Sequence, residues 1–300
     1  MTGPVAAGSG PSAGATGMAS GPTGDASFVR ALAERAGRLL LDRYERVETI
    51  DHKSAKDVVT EVDHLSEELV LGAIRERCPA DAILAEESGA HRGRSGSGAS
   101  DPDTTGAPAL AALAAGRTWI VDPLDGTVNY ANGIPYFCVS IALVVDGRPS
   151  VGAVHDPMRG ETYWATADGP AMLGDREVHA SRKPSLGDYV VSLALSGRSV
   201  TTRARAVRKA VRAARNTGSA ALALSYVANG RFDAFLQTAG MSAWDVAAAG
   251  LIAERAGAVV TDANGGPWFD LALATRAVGI VAAPPTHHAE LLRLSRVPAA

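Results

Sequence analysis

The sequence predicts a mixed fold, α+β in its first half and α/β in its second, on three observations. Two amphipathic helical segments open the chain, and a run of strands with a hairpin signal at Asp146-Gly147 follows. From Asn216 onward, helical and strand patterns alternate, the mark of α/β layers. Two apolar strands also end in carboxylates, and strand ends are where open sheets place their sites.

Each element has a reason. Phe28, Leu32, Ala36, Leu39 and Leu40 recur at helical spacing between Asp25 and about Val47. A second helix carries Leu65, Leu69 and Ile74 to Arg77, with Asp63 near its start, where an N-cap is the plain structural role. Ala82-Ile83-Leu84-Ala85 is a short strand that runs into Glu86-Glu87-Ser88. Residues 89–116 are rich in Gly, Ser, Asp and Pro and read as a mobile surface loop, a candidate flap. Trp119-Ile120-Val121 is a buried strand, after which the chain turns through Asp122-Pro123-Leu124-Asp125-Gly126-Thr127.

Phe137 to Val145 leads to the hairpin signal, and Val151–His155 and Thr162–Ala165 continue a meander, with His155 read as polar loop surface. After the strand Tyr189–Leu195, Arg203, Arg205, Arg208, Lys209, Arg212 and Arg215 fit the solvated face of a helix between Ser199 and Arg215. Small residues from Thr217 form a helix closed by Gly230, and Phe232–Leu236 is a strand. Asp245, behind Trp244, opens a tightly packed helix and is again suited to an N-cap. Strands at Ala258–Thr261 and Gly279–Ala282 finish the fold.

Three hundred residues allow one large domain or two smaller ones, and the chain divides into halves at 25–185 and 186–300. A formal net charge of −3 without a basic stripe argues against nucleic acid as a partner. No apolar run is long enough to span a bilayer, so no membrane partner is expected. Cys78 and Cys138 are too few for a disulfide scaffold and fit buried thiols of a reduced, cytoplasmic protein. Residues 1–24 have the composition of a disordered leader rather than a secretory signal.

The turn after Trp119 carries the chemistry. Two carboxylates, a rigid proline and a permissive glycine at a strand end can aim several oxygens at one point. Magnesium is bound by such carboxylates, carbonyls and waters. Gly126 and Thr127 can present backbone N–H groups at a helix start, an anion site. Cation and anion sites side by side suggest phosphate chemistry; the plain alternative is a tight turn, for which Asp, Pro and Gly are the usual residues. The chain has no phosphate-loop lysine motif, and Gly96-Ser-Gly98 does not follow a strand as a dinucleotide motif would. A glycosidase would need only two acids and no Gly-Thr cradle.

Asp57-Val-Val-Thr-Glu-Val-Asp63, Ala85-Glu-Glu-Ser88, Trp119-Ile-Val-Asp-Pro-Leu-Asp-Gly-Thr127 and Trp244-Asp245 stand in the order found in the inositol monophosphatase family. The chain resembles that family from roughly Asp25 to Leu294. The resemblance implies a layered α-β-α-β-α sandwich of the sugar-phosphatase type, two or more magnesium ions, a homodimer and hydrolysis of a small phosphate ester by metal-activated water. It implies Glu86, Asp122, Asp125, Asp245 and the Leu124 carbonyl as metal ligands. Asp63 and Thr127, with Glu86, correspond to the residues that orient and activate the water. Gly126 and Thr127 correspond to the phosphate cradle, and Asp245 also to a substrate contact. Lys53 matches a lysine near the phosphate, with a spacing to Asp63 one residue short. The segment before Trp244 holds an acidic residue against substrate hydroxyls in this family; here it reads Gln237-Thr238-Ala239-Gly240, so Gln237 offers a neutral contact. The implied substrate is inositol 1-phosphate or a related polyol phosphate, with 3′-phosphoadenosine 5′-phosphate, fructose 1,6-bisphosphate and histidinol phosphate as alternatives. An interaction protein with a vestigial site, docking its basic helix onto RNA or a transcription complex, is the non-enzyme alternative.

Overall fold

The computed structural model describes residues 22–46, 50–54, 57–91, 93, 113, 115–273 and 277–296. The leader and most of the 89–116 loop lie outside the described residues, as does the side chain of Lys53. In chain order the elements are α1 (Pro22–Arg43), β1 (Ile50–Ser54), β2 (Asp57–Thr60), α2 (Glu61–Arg77), β3 (Ala82–Ala85), β4 (Gly89–His91), β5 (Arg117–Asp125) and α3 (Thr127–Ala131). The meander follows as β6 (Cys138–Val145), β7 (Arg148–Asp156), β8 (Glu161–Thr166), β9 (Met172–Leu173) and β10 (Arg176–Glu177). The remainder is β11 (Val190–Ala194), α4 (Val200–Ala210), β12 (Ala213–Arg215), α5 (Ala220–Ser225), β13 (Ala234–Met241), α6 (Ala243–Arg255), β14 (Val259–Asp262), β15 (Val278–Ala283) and α7 (Pro285–Ser295).

Two sheets dominate. The larger has the order β10-β9-β8-β7-β6-β5-β3-β4, antiparallel except where β3 runs parallel to β5. The smaller has the order β12-β11-β13-β15-β14, with β11 parallel to both β12 and β13. Alternation along the strands assigns the faces, because successive side chains point to opposite sides. Val139, Ile141 and Leu143 of β6 pack with Leu32, Leu40, Val70 and Ile74 of α1 and α2. Cys138, Ala142 and Val144 of the same strand face Leu222, Val246 and Ile252 of α5 and α6. Phe235 and Ile280 of the smaller sheet close that second core from its far side, while Leu236 and Val281 turn outward to Val207 of α4 and Leu291 of α7. The result is the α-β-α-β-α sandwich. Its central helix layer comes from the second half of the chain yet packs on the sheet of the first.

The backbone departs from the expected local structure at several points. β5 does not stop at Val121 but runs through Asp125. Asp122 pairs with Ser140 and Asp125 with Cys138, so β5 carries one extra residue there, a bulge. A bulge tolerates Pro123 because the ladder is interrupted there and needs no N–H from it. Neither Asp63 nor Asp245 is an N-cap. Thr60 and Ser242 cap α2 and α6, and the two aspartates stand three residues later in capping boxes.

The basic helix ends at Ala210, so Arg212 and Arg215 lie beyond it. Arg203 is buried rather than solvated, donating to the carbonyls of Arg198, Ser196 and Ser295. His155 is also buried, on β7, where its Nδ1 meets Thr162 Oγ1 at 2.9 Å. A histidine flanked by valine on one side and Asp-Pro on the other carries no strong periodic signal, and the ladder of β7 with β6 and β8 decides its place.

Candidate active site

The bulged end of β5, the start of α3, the entry to α5 and the start of α6 meet in a cleft of about 290 Å³. Glu86, Asp122, Leu124, Asp125, Gly126, Thr127, Gln237 and Asp245 line it together, although they come from distant parts of the sequence. Asp122, Asp125 and Asp245 each offer a carboxylate oxygen, all within 4.8 Å of one another. Glu86 follows β3, whose parallel pairing with β5 is extended by Glu86 N–H donating to Val121 O at 3.1 Å. It lies beside Asp122, whose carboxyl its negative charge helps to raise. Asp63 is not a lining residue of the cleft but touches one: Thr127 Oγ1 stands 3.0 Å from Asp63 Oδ1 and 3.0 Å from the Leu124 carbonyl.

One face of α2 organises the loops around this cluster. Residues three and four apart share a helix face, and Asp63, Ser66 and Glu67 between them hold two segments. Asp63 holds Thr127; Ser66 Oγ donates to Pro123 O at 2.9 Å; Glu67 Oε2 accepts the Glu87 amide at 2.9 Å. Ser66 and Glu67 are buried. The two segments that carry Glu86 and Asp122 are thus pinned by adjacent residues of one helix.

The electrostatics of the cluster are unfavourable on their own. Burial raises the Asp122 carboxyl well above the usual carboxylate range, and the negative charges of Glu86, Asp125 and Asp245 raise it further. Burial likewise raises Asp125, opposed by the Ser219 hydroxyl and by the amides at the start of α5. The Ser219 hydroxyl donates to Asp125 Oδ2 at 2.6 Å and the Ala221 amide at 2.7 Å. Burial and both aspartates push the Cys138 thiol up, so this residue is a neutral thiol 3.8 Å from Asp125 Oδ2. Clustered carboxylates with few cations nearby are the donor set of a divalent-ion site; among the described residues lining the cleft, none is Lys, Arg or His.

Gln237, on β13, also lines the cleft, half-buried, its Nε2 3.4 Å from Ala239 O. Several lining or supporting residues carried no weight in the sequence: Ser192, Asn129, Ser219 and Glu67. For Ser219 a signal existed, a serine immediately before a run of small helix-forming residues. Asn129 and Glu67 act through backbone groups far along the chain, which no local pattern reveals.

Comparison with known proteins shows the family. A family model described as the inositol monophosphatase family matches residues 25–297. Among sequence relatives, proteins called Nus factor SuhB from Pasteurella multocida (strain Pm70) and Escherichia coli (strain K12) are 36% and 35% identical. Their alignments cover 78% and 79% of this chain and 83% and 84% of the relatives. Among solved structures, the extragenic suppressor protein suhB from Bartonella henselae superposes with a TM-score of 0.77 at 30% identity, covering 90% of this chain and 97% of that one. A Thermotoga maritima IMPase gives 0.73 at 29% identity, covering 90% and 95%. The name Nus factor among the relatives leaves the expected exclusion of nucleic acid without support. Among the described residues no helix is long and apolar enough to cross a membrane. The chain belongs to the inositol monophosphatase family.

Proposed function

We propose that this chain is a magnesium-dependent phosphomonoesterase acting on a small polyol phosphate such as inositol 1-phosphate, through direct attack by water. The observation that carries the reading is the meeting of three buried or half-buried aspartates within 4.8 Å in a cleft that Gly126 and Thr127 also line. Asp122, Asp125, Asp245 and Glu86, with the Leu124 carbonyl, would hold the ions. When bound, magnesium supplies positive charge against the phosphoryl and leaving oxygens.

The remaining work falls to the chain. Gly126, with φ of 98°, turns the backbone at the lip of the cleft that it lines with Thr127, and the two amides would cradle phosphate oxygens. Asp63 Oδ2 is engaged by the Thr60 amide at 2.8 Å and the Thr60 hydroxyl at 2.6 Å, which leaves Oδ1 to Thr127. Thr127 Oγ1 accepts a hydrogen from the attacking water while passing its own toward Asp63 Oδ1, so the pair aims the water and takes up its proton. Outside the acidic cluster the described walls are neutral, including Ser192, Thr217, Phe235, Gln237 and Met241. A second phosphate would find no cationic side chain there, which favours a neutral, hydroxylated leaving group over the bisphosphates. Gln237, a neutral lining residue, would hydrogen-bond such a hydroxyl.

The test is phosphate release from a panel of monoesters and bisphosphates, with and without magnesium, with Asp245→Asn as control. The reading fails if no polyol monophosphate is turned over in magnesium, or if Asp245→Asn is as active as the parent. The reading extends, on family grounds, to a cytoplasmic homodimer; light scattering of the purified chain checks the dimer.

A second reading is favoured by the relatives' name, Nus factor. In it the chain acts by docking onto RNA or a transcription complex through exposed Arg205, Arg208, Lys209 and Arg215. It requires that Asp122→Asn keep full cellular function, whereas the phosphatase reading requires that this variant lose it.

A further inference from the structure

Two walls of the cleft meet at Asn129. One is the Asp122–Thr127 turn, which runs into α3; the other is the segment Asn216–Ser219, which runs into α5. Asn129 is 7% exposed, and its amide group spends both hydrogens on backbone carbonyls, Tyr136 O at 2.6 Å and Thr217 O at 2.8 Å. The next residue, Gly218, has φ of 84°, and a Cβ there would lie 2.8 Å from Asn129 Oδ1. The carboxamide therefore fills the space that any other residue at 218 would need. Immediately beyond, the Ser219 hydroxyl and the Ala221 amide hold Asp125 Oδ2. One side chain thus fixes the segment whose following residues fix a carboxylate of the acidic cluster. The side chain must carry two donors on one nitrogen at this reach, which aspartate, leucine and serine lack.

We propose that Asn129 is a positioning residue for Asp125. It holds the 216–219 segment in register, so that Ser219 and Ala221 keep one oxygen of Asp125 engaged and the carboxylate stays fixed beside Asp122 and Asp245. This rests on the cation-site part of the reading above. Without Asn129, two part-buried carbonyls lose their donor, the segment shifts, and Asp125 loses the Ser219 and Ala221 contacts together.

The experiment is isothermal calorimetry of magnesium chloride binding to the full chain after chelation, alongside thermal unfolding and phosphate release. The variants are Asn129→Ser, Ser219→Ala, the double variant, and Tyr130→Phe. Tyr130 is the adjacent residue, but its hydroxyl donates to Leu40 O at 2.7 Å in the outer layer, so its loss affects stability alone. Asn129→Ser is expected to weaken magnesium binding by about tenfold or more, with Tyr130→Phe within about twofold of the parent at a comparable loss of stability. The double variant is expected to bind no more weakly than the weaker single variant, because both changes break one chain of contacts. The proposal is overturned if Asn129→Ser binds magnesium as the parent does, or if the two effects multiply. If Asn129→Ser does not fold, Gly218→Ala presses on the same carboxamide from the other side, with the same expected and overturning results. A parent chain that binds magnesium but releases no phosphate removes the phosphatase reading and leaves this comparison standing; one that binds no magnesium overturns both.

Discussion

Asp63 and Asp245 occupy the same station on two different helices. Each is the third residue of its helix, and each accepts the backbone amide of its own N-cap residue, Thr60 at 2.8 Å and Ser242 at 2.6 Å. The capping box fixes the side chain's rotamer, and the same carboxylate then serves the cleft: Asp63 meets Thr127, and Asp245 joins Asp122 and Asp125. Helix-start chemistry and site chemistry are combined in one group, so the acids are oriented before any ligand arrives.

That double duty separates stability from activity. Asn at either position keeps a side-chain oxygen for the cap, so Asp63→Asn and Asp245→Asn should each cost no more than about 1 kcal/mol. Phosphate release should fall by about a hundredfold or more in both, since Asp63 loses the charge behind Thr127 and Asp245 a charge in the cleft. Calorimetric unfolding and initial rates on the same preparations check this. A variant that loses activity only in proportion to folded fraction would contradict it.

This arrangement also explains what the sequence could tell. An acid three residues after Thr or Ser before an apolar run is a helix-start pattern, and it is legible. That pattern was visible at Thr60-Glu-Val-Asp63 and Ser242-Ala-Trp-Asp245, although the aspartates themselves read as caps rather than as their partners. The layers were legible because alternation in β6 and small residues in α6 report burial on both faces. What local pattern cannot report is a contact between distant segments. The bulge that carries β5 through Asp125 depends on β6 across the ladder. Arg203 read as solvated because its neighbours are basic, yet its guanidinium finds three carbonyls, one of them at Ser295. The burial of His155 follows from the passage of α1 over β7, where Gly37 lies against its ring.

Close approach of α6 to the large sheet predicts a specific intolerance. Gly152 on β7 faces Ala248, and a Cβ at 152 would lie 2.7 Å from the Ala248 Cα, a backbone atom that cannot move alone. Gly152→Ala should cost about 1–3 kcal/mol by overpacking, seen as a lower melting temperature. Cleft activity per folded molecule should hold, because Gly152 is outside the cleft.

Buried His155 predicts a pH dependence of stability. Burial lowers its pKa to about 4, with Arg38 adding to the shift and Glu34 opposing it. The unfolded chain therefore binds a proton that the folded chain refuses between pH of about 6.5 and about 4. The stabilisation is present above the unfolded value and is lost as pH falls across that window, by roughly 3 kcal/mol at its lower end. His155→Phe should flatten this part of the stability curve, with Thr162 still paired to Glu34 at 3.0 Å. Denaturant midpoints from pH 4 to 7 measure it; identical slopes in parent and variant would place the acid sensitivity elsewhere.

The acidic cluster predicts an inversion of sign with the divalent ion. In the ion-free chain, Asp122 is buried among three other carboxylates, and its raised pKa means that folding disfavours its charged form. A group whose folded pKa is raised destabilises the fold increasingly as pH climbs above its unfolded value. After chelation, Asp122→Asn should therefore be more stable than the parent at neutral pH, because it removes that repulsion while an amide oxygen remains for the Leu124 amide, 3.1 Å from Asp122 Oδ1. Added magnesium should reverse the order. An ion that binds only the folded state adds about 2.7 kcal/mol at a hundred times its dissociation constant, and the parent, with the complete donor set, gains most of it. Paired thermal scans in chelator and in saturating magnesium decide the matter: the two melting curves should cross over in rank. If the parent is the more stable protein in both conditions, the carboxylates are not held against their mutual repulsion for the sake of a cation.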